Sequence, residues 1–231
     1  MNRCLLCNQY FIPEISFLNI LSPVEKHEAK LCQHCLNKFE LLGKIRCFLC
    51  SKNLNKEGIC NDCQRWQTIY RNDPLKNYAI FRYNAFFHDL MVNYKRYGDY
   101  VLYQVLQELC HEKLKSMNYD AYIPIPTSPE HMEKRQFDTI SAIYADLVPL
   151  TPLLQKNSGS GAQGEKSRQE RLMSPQSFLI AKDVQLRENI FKGKILLLDD
   201  IYTTGRTLYH ARDKLRELFP ETIIESFSIC R

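Results

Sequence analysis

Long apolar runs are missing from this sequence. Nowhere in its 231 residues is there the uninterrupted stretch of ~20 apolar residues that a membrane-crossing helix needs, so no span is expected. The opening Met1-Asn2-Arg3-Cys4 has no apolar core of the kind that marks a secretory leader, and a cytoplasmic, reducing setting is the expectation. Apart from one recurring cysteine unit there is no internal repeat. A strong excess of one charge is also missing: 31 Lys and Arg face 26 Asp and Glu, a formal net charge of +5.

Cysteine, by contrast, is plentiful. Eight of the ten form four Cys-x-x-Cys units, Cys4/Cys7, Cys32/Cys35, Cys47/Cys50 and Cys60/Cys63. Two thiolates presented from one tight turn hold one edge of a zinc tetrahedron. Four units supply two structural Zn²⁺ centres. We pair them sequentially, Cys4/Cys7/Cys32/Cys35 and Cys47/Cys50/Cys60/Cys63, as tandem zinc ribbons; a crossed pairing stays open from sequence alone. Disulfides are unexpected in a reducing compartment, and four redox dithiols so regularly spaced would be odd. Closed tetrathiolate sites keep no open coordination position, which points to structure and not catalysis. His27 and His34 are not needed as ligands, and Cys110 and Cys230 read as ordinary buried residues. Each zinc with four thiolates carries a charge of −2, so two centres bring +5 down to +1. Bulk charge then gives no argument for nucleic acid. Local patches remain: Lys44, Arg46, Lys52 and Lys56 around the knuckles, and Lys156, Lys166, Arg168 and Arg171 further on. Trp66, Tyr70 and Phe48 could stack bases or plug a seam between domains.

The densest chemical signal is Ile195-Leu-Leu-Leu-Asp199-Asp200-Ile-Tyr-Thr203-Thr204-Gly205-Arg206-Thr207. Four consecutive apolar residues predict a central parallel strand covered on both faces. Two acids stand at its carboxyl end, where open α/β sheets place ligands. The small residues that follow can curl so that backbone N–H groups converge, with Gly205 supplying the freedom. A helix opening at about Arg206, with Leu208, Ala211, Leu215 and Leu218 on one face, adds its positive end. Together these make an anion pocket beside two carboxylates. The carboxylates suit sugar hydroxyls, and a divalent ion would offset their charge.

Around this segment the chain alternates strands and helices, which predicts a mostly parallel α/β sheet. Strands are expected at Tyr78–Tyr83, Ala121–Ile125 and Thr222–Ile229. Ala85–Tyr97 reads as an amphipathic helix with Phe86, Leu90 and Tyr94 together. Asp99 is placed to cap a helix carrying Leu102, Val105, Leu106 and Leu109, and Asp138–Leu147 reads as another helix. The prolines of 124–129 predict irregular chain. The Gly- and Ser-rich residues 156–168 predict a mobile loop. A polar stretch, Arg65–Pro74, separates a zinc-ribbon domain, 1–66, from a larger domain, 67–231.

The 195–207 segment resembles the ribose-5-phosphate loop of type I phosphoribosyltransferases, matching their pattern throughout. That resemblance implies the type I fold, binding of Mg²⁺-phosphoribosyl pyrophosphate (PRPP), ribose contacts from Asp199 and Asp200, and a 5-phosphate wrapped by Thr203, Thr204, Gly205, Arg206 and Thr207. Purine-salvage members carry an aspartate base at the position of Thr203, so a salvage reaction is not implied. Tandem knuckles ahead of such a loop resemble the ComF (ComFC) competence family across nearly the whole chain. Lys95 in Tyr-Lys-Arg-Tyr-Gly-Asp99 matches that family's Lys-x-x-Gly-Asp, and 123–129 matches its pyrophosphate loop. Two departures stand out: Arg135-Gln-Phe-Asp138 replaces Arg-Gly-Phe-Asn, and Arg171-Leu-Met-Ser174 replaces Arg-x-x-Asn.

The family resemblance implies a role in handling incoming single-stranded DNA during natural transformation, beside a helicase-like competence ATPase. Two readings of the site follow. As an enzyme, it would release pyrophosphate from PRPP, with Arg135, Lys95 and Arg171 stabilising the departing charge and the 156–171 segment closing over it. As an adaptor, it would sense PRPP or a nucleotide and dock single-stranded DNA or the ATPase without making a bond. No side chain identifies the acceptor.

Overall fold

The computed structural model describes residues 1–13, 28–71, 73–156, 176–181 and 193–231. The chain opens with two short paired strands, β1 (Asn2–Arg3) and β2 (Tyr10–Phe11), then helices α1 (Gln33–Leu36) and α2 (Asn61–Tyr70). Next come β3 (Asn77–Phe81), α3 (Ala85–Lys95), a 3-10 turn at Tyr100–Leu102, α4 (Tyr103–Lys115), β4 (Ala121–Pro124), α5 (Pro129–Arg135) and α6 (Thr139–Tyr144). Two short strands, β5 (Leu154–Lys156) and β6 (Phe178–Ile180), pair antiparallel. The chain ends with β7 (Lys194–Ile201), α7 (Arg206–Arg216) and β8 (Ile223–Cys230).

Four strands form one parallel sheet in the order β3-β8-β7-β4, the α/β architecture that the strand–helix alternation predicts. Its central strand β7 shows why a continuous apolar run is needed there. Leu196 and Leu198 enter one hydrophobic layer, with side chains of α3, α4 and α6. Ile195 and Leu197 enter the opposite layer, with side chains of α2 and α7. All four are 0 % exposed, and burial of each contributes roughly 1.5–3 kcal/mol. The amino-terminal cysteines divide between the same two layers. Cys4, Cys32 and Cys35 sit with Leu31 and Phe39 in the first. Cys47, Cys50, Cys60 and Cys63 sit with Trp66 in the second.

Several local expectations are corrected. Asp99 precedes the 3-10 turn but makes no side-chain cap bond. Pro129 is not irregular: it is the first residue of α5, where a proline loses only an N–H that the helix would leave unused. Pro124 closes β4, an edge strand that tolerates it. The helix expected over 138–147 is shorter, Thr139–Tyr144, and Asp138 is its N-cap. Of the expected loop 156–168, Lys156 ends β5 and the rest lies outside the described residues. No described helix is long and apolar enough to cross a membrane.

Candidate functional site

β7 ends at Ile201, so it carries Asp199 and Asp200 past Pro124, its partner strand's last residue. The chain then turns through Thr203–Gly205 into α7. Gly205 is the N-cap at φ +83°, a left-handed conformation that favours glycine. A Cβ there would stand 2.2 Å from the Tyr202 hydroxyl oxygen and 2.6 Å from Cζ, so glycine is also required for space. Thr203 and Thr207 are exposed and line a cleft of about 540 Å³. Thr204 and Gly205 are buried behind it. The Arg206 guanidinium lies over the Trp66 ring, 5.9 Å from its centroid, and is not among the side chains lining the cleft.

The opposite wall comes from the 125–128 loop, α5 and the start of α6, with Lys95 and Lys156 completing it. Lys95 is the last residue of α3 and forms an ion pair with Asp200. Arg135 is the last residue of α5, and its Nε donates to the Lys95 carbonyl oxygen at 2.7 Å. That bond satisfies an end-of-helix carbonyl and ties the two cations together. Asp138 explains its own presence. Its Oδ1 accepts from the Ser141 N–H at 2.7 Å, capping α6, and its Oδ2 accepts from the Thr127 N–H at 2.9 Å, fastening the loop. Gln136 adopts φ +65° as the C-cap of α5, a conformation suited to glycine, the residue that the resembled motif carries there.

The cleft brings cations and carboxylates together. Burial would push the Lys95 ammonium down, but the charges of Asp200 and Asp199 outweigh it and the net shift is upward. Asp199 is pushed up to about 7, by burial first and by the Asp200 charge second, against the pull of Lys95. Burial lowers Lys156. Lys95, Arg135 and Lys156 line the cleft together with the two carboxylates. Arg171 and Ser174 lie outside the described residues.

The eight knuckle cysteines form two groups, Cys4/Cys7/Cys32/Cys35 and Cys47/Cys50/Cys60/Cys63, with sulfurs within 4.8 Å of one another. The sequential pairing is therefore the one the fold makes. Four thiolates about 2.3 Å from a tetrahedral zinc lie about 3.8 Å apart. Cys7 and Cys32 Sγ are separated by 3.7 Å, and Cys50 and Cys60 Sγ by 3.6 Å. Both donor sets fit zinc. In the first group Cys7 is half-buried and the others buried; the second is buried throughout.

No family model matches the chain. Competence protein ComFC of Streptococcus pneumoniae (strain ATCC BAA-255 / R6) is 31% identical to it over 230 residues, covering 99% of this chain and 100% of that relative. The chain belongs to the ComFC family. Competence protein ComFC of Bacillus subtilis (strain 168) is 29% identical over 238 residues, covering 99% of this chain and 94% of that relative.

Several cleft residues of this ComFC family member escape a reading of sequence. Tyr83, His131, Thr139 and Lys156 all line the cleft. Lys156 reads as part of a basic patch in sequence, and only the β5 position brings it to the aspartates. Of the aromatic candidates, Trp66 is 1 % exposed and plugs a seam, stacked 4.2 Å from Tyr209, whereas Phe48 is 60 % exposed. Lys44, Arg46, Lys52 and Lys56 are exposed, and Lys52 approaches Asp62 at 3.9 Å. Lys166 and Arg168 lie outside the described residues.

Proposed function

We propose that the cleft binds Mg²⁺-PRPP and that the chain serves natural transformation as a phosphoribosyltransferase-like competence protein that handles incoming single-stranded DNA. The observation that carries the PRPP reading is one continuous piece of chain. An aspartate pair ends a central strand and runs directly into a left-handed glycine that starts a helix, beside a cleft lined by three cations. In this reading Asp199 and Asp200 accept hydrogen bonds from the ribose hydroxyls. The amides of 203–207 and the hydroxyls of Thr203 and Thr207 hold the 5-phosphate. Lys95 and Arg135 take the pyrophosphate end, and Arg171 is assigned there from the resemblance. The hard carboxylate oxygens suit Mg²⁺, which when bound offsets charge between them and the phosphates. Residues 1–66 act as the double zinc-ribbon unit and 67–231 as the phosphoribosyltransferase-like unit. A helicase-like competence ATPase is the proposed protein partner.

Calorimetric titration with Mg²⁺-PRPP tests this, alongside pyrophosphate release with bases, amines and single-stranded DNA as acceptors. Saturable binding is expected in the wild type. Asp199→Asn/Asp200→Asn should weaken it by at least about tenfold, since hydrogen bonds to charged groups contribute roughly 1.5–3 kcal/mol each. Wild-type protein that binds no PRPP would sink the reading. Binding without pyrophosphate release from any acceptor would favour the adaptor.

A further inference from the structure

The second cysteine group is physically joined to the phosphate loop. Cys60 is the N-cap of α2 and Cys63 lies in its first turn, so the knuckle sets where this helix begins. One turn further on, buried Trp66 donates its Nε1–H to the Thr204 carbonyl oxygen at 2.8 Å. Its ring stacks on Tyr209 of α7, 4.2 Å away centroid to centroid, and Tyr209 stacks in turn on Tyr70 at 4.7 Å. A second link runs through the last residue. Arg231 places Nη2 3.6 Å from Cys50 Sγ and donates from Nη1 to the Tyr202 carbonyl oxygen at 3.4 Å. Both carbonyls belong to the short turn that positions Gly205. The first cysteine group lies in the opposite hydrophobic layer.

The geometry points to Trp66 as a positioning residue that couples the Cys47/Cys50/Cys60/Cys63 centre to the conformation of the 202–205 turn, so that metal at this centre sets affinity at the phosphate loop. Trp66 touches no ligand in this scheme. It holds the Thr204 carbonyl turned away from the anion, which leaves the adjoining amides to face it. A carbonyl left without its donor is a buried unsatisfied acceptor, and the turn would relax toward a conformation that satisfies it. The coupling rests on the PRPP reading only for its functional consequence.

The chain has a single tryptophan, so intrinsic fluorescence reports on this contact directly. Wild type, Trp66→Phe, Cys60→Ser/Cys63→Ser and Cys4→Ser/Cys7→Ser are compared by zinc content, Mg²⁺-PRPP calorimetry and amide exchange at 203–207. Trp66→Phe is expected to keep two zinc ions per chain, to exchange faster at 203–207, and to bind PRPP about 3- to 10-fold more weakly, the loss typical of one buried hydrogen bond. The second-centre variant should do the same more strongly. The first-centre variant should retain affinity within about twofold of wild type, given that separated sites act independently. Wild-type fluorescence should change saturably with Mg²⁺-PRPP. Unchanged exchange and unchanged affinity in Trp66→Phe would overturn the coupling, even if the cysteine variants failed to fold. Faster exchange in a protein that never binds PRPP would uphold the coupling and reject the PRPP reading.

Discussion

Gly205 is the residue on which the loop geometry turns, and its replacement by alanine is worth working through. At φ +83° an L-residue strains the backbone by about 1–2 kcal/mol. The new Cβ would also meet buried Tyr202, 2.2 Å from its hydroxyl oxygen and 2.6 Å from Cζ. Crowding of that kind costs about 1–3 kcal/mol, because the ring must shift within a packed layer. Gly98 separates the two effects. It sits at φ +72° with nothing within 4 Å of an added Cβ, so Gly98→Ala carries the backbone strain alone. At this chain length each kcal/mol moves the melting temperature by about 2–4 °C. Gly205→Ala should therefore melt about 2–12 °C below Gly98→Ala in parallel thermal scans at equal zinc content. The Tyr202 hydroxyl makes no hydrogen bond among the described residues, so Tyr202→Phe in the Gly205→Ala background should recover part of the loss. Equal melting of the two alanine variants, within about 2 °C, would refute the steric argument.

Other outcomes follow from the same contacts. Gln136→Gly should raise stability or leave it unchanged, by up to about 1 kcal/mol in denaturant titration, because it relieves a left-handed non-glycine cap. Asp138→Asn keeps one acceptor oxygen for two N–H donors and should lower stability by about 1–2 kcal/mol, with the deficit appearing as faster amide exchange at Thr127 or Ser141. Asp199 is raised above its ordinary value, so the fold favours its protonated form. Its contribution to stability is full below about pH 4 and is lost as pH climbs toward about 7. The stability difference between wild type and Asp199→Asn should change across that window, while PRPP affinity in the wild type should rise as Asp199 ionises; a flat difference would contradict the assignment. Chelation should draw zinc from the first centre before the second, because Cys7 is the more accessible ligand, and circular dichroism should register loss beyond the first 66 residues only as the second centre empties, because its cysteines pack in one layer with Ile195, Leu197 and Leu208.

The parts legible in sequence were those governed by local chemistry. A four-residue apolar run read as a central strand because both faces of β7 are covered. The Gly205 turn was legible because it needs both conformational freedom and space. Four Cys-x-x-Cys spacings announced two metal-binding groups, but which units join depends on distant packing, and folding settles it. Local signals were also missed. Cys63, Trp66 and Tyr70 recur at helical spacing from just before Arg65 into what reads as a polar boundary, and they belong to α2. Ser128-Pro129-Glu130 is a helix start that the neighbouring prolines disguise as a loop. Lys156, Tyr83 and His131 could not be assigned to the cleft locally, since they reach it from β5, from the link between β3 and α3, and from α5. The contact between Trp66 and Thr204 spans 138 positions of sequence and carries no local signature.

The central claim is that the turn between β7 and α7 grips a phosphorylated pentose. A crystal structure of the wild type grown with Mg²⁺ and PRPP tests it most directly. The account predicts the 5-phosphate within hydrogen-bond reach of the 203–207 amides and the ribose hydroxyls on Asp199 and Asp200. Density for PRPP elsewhere in the cleft, or an empty turn at saturating ligand, would contradict it.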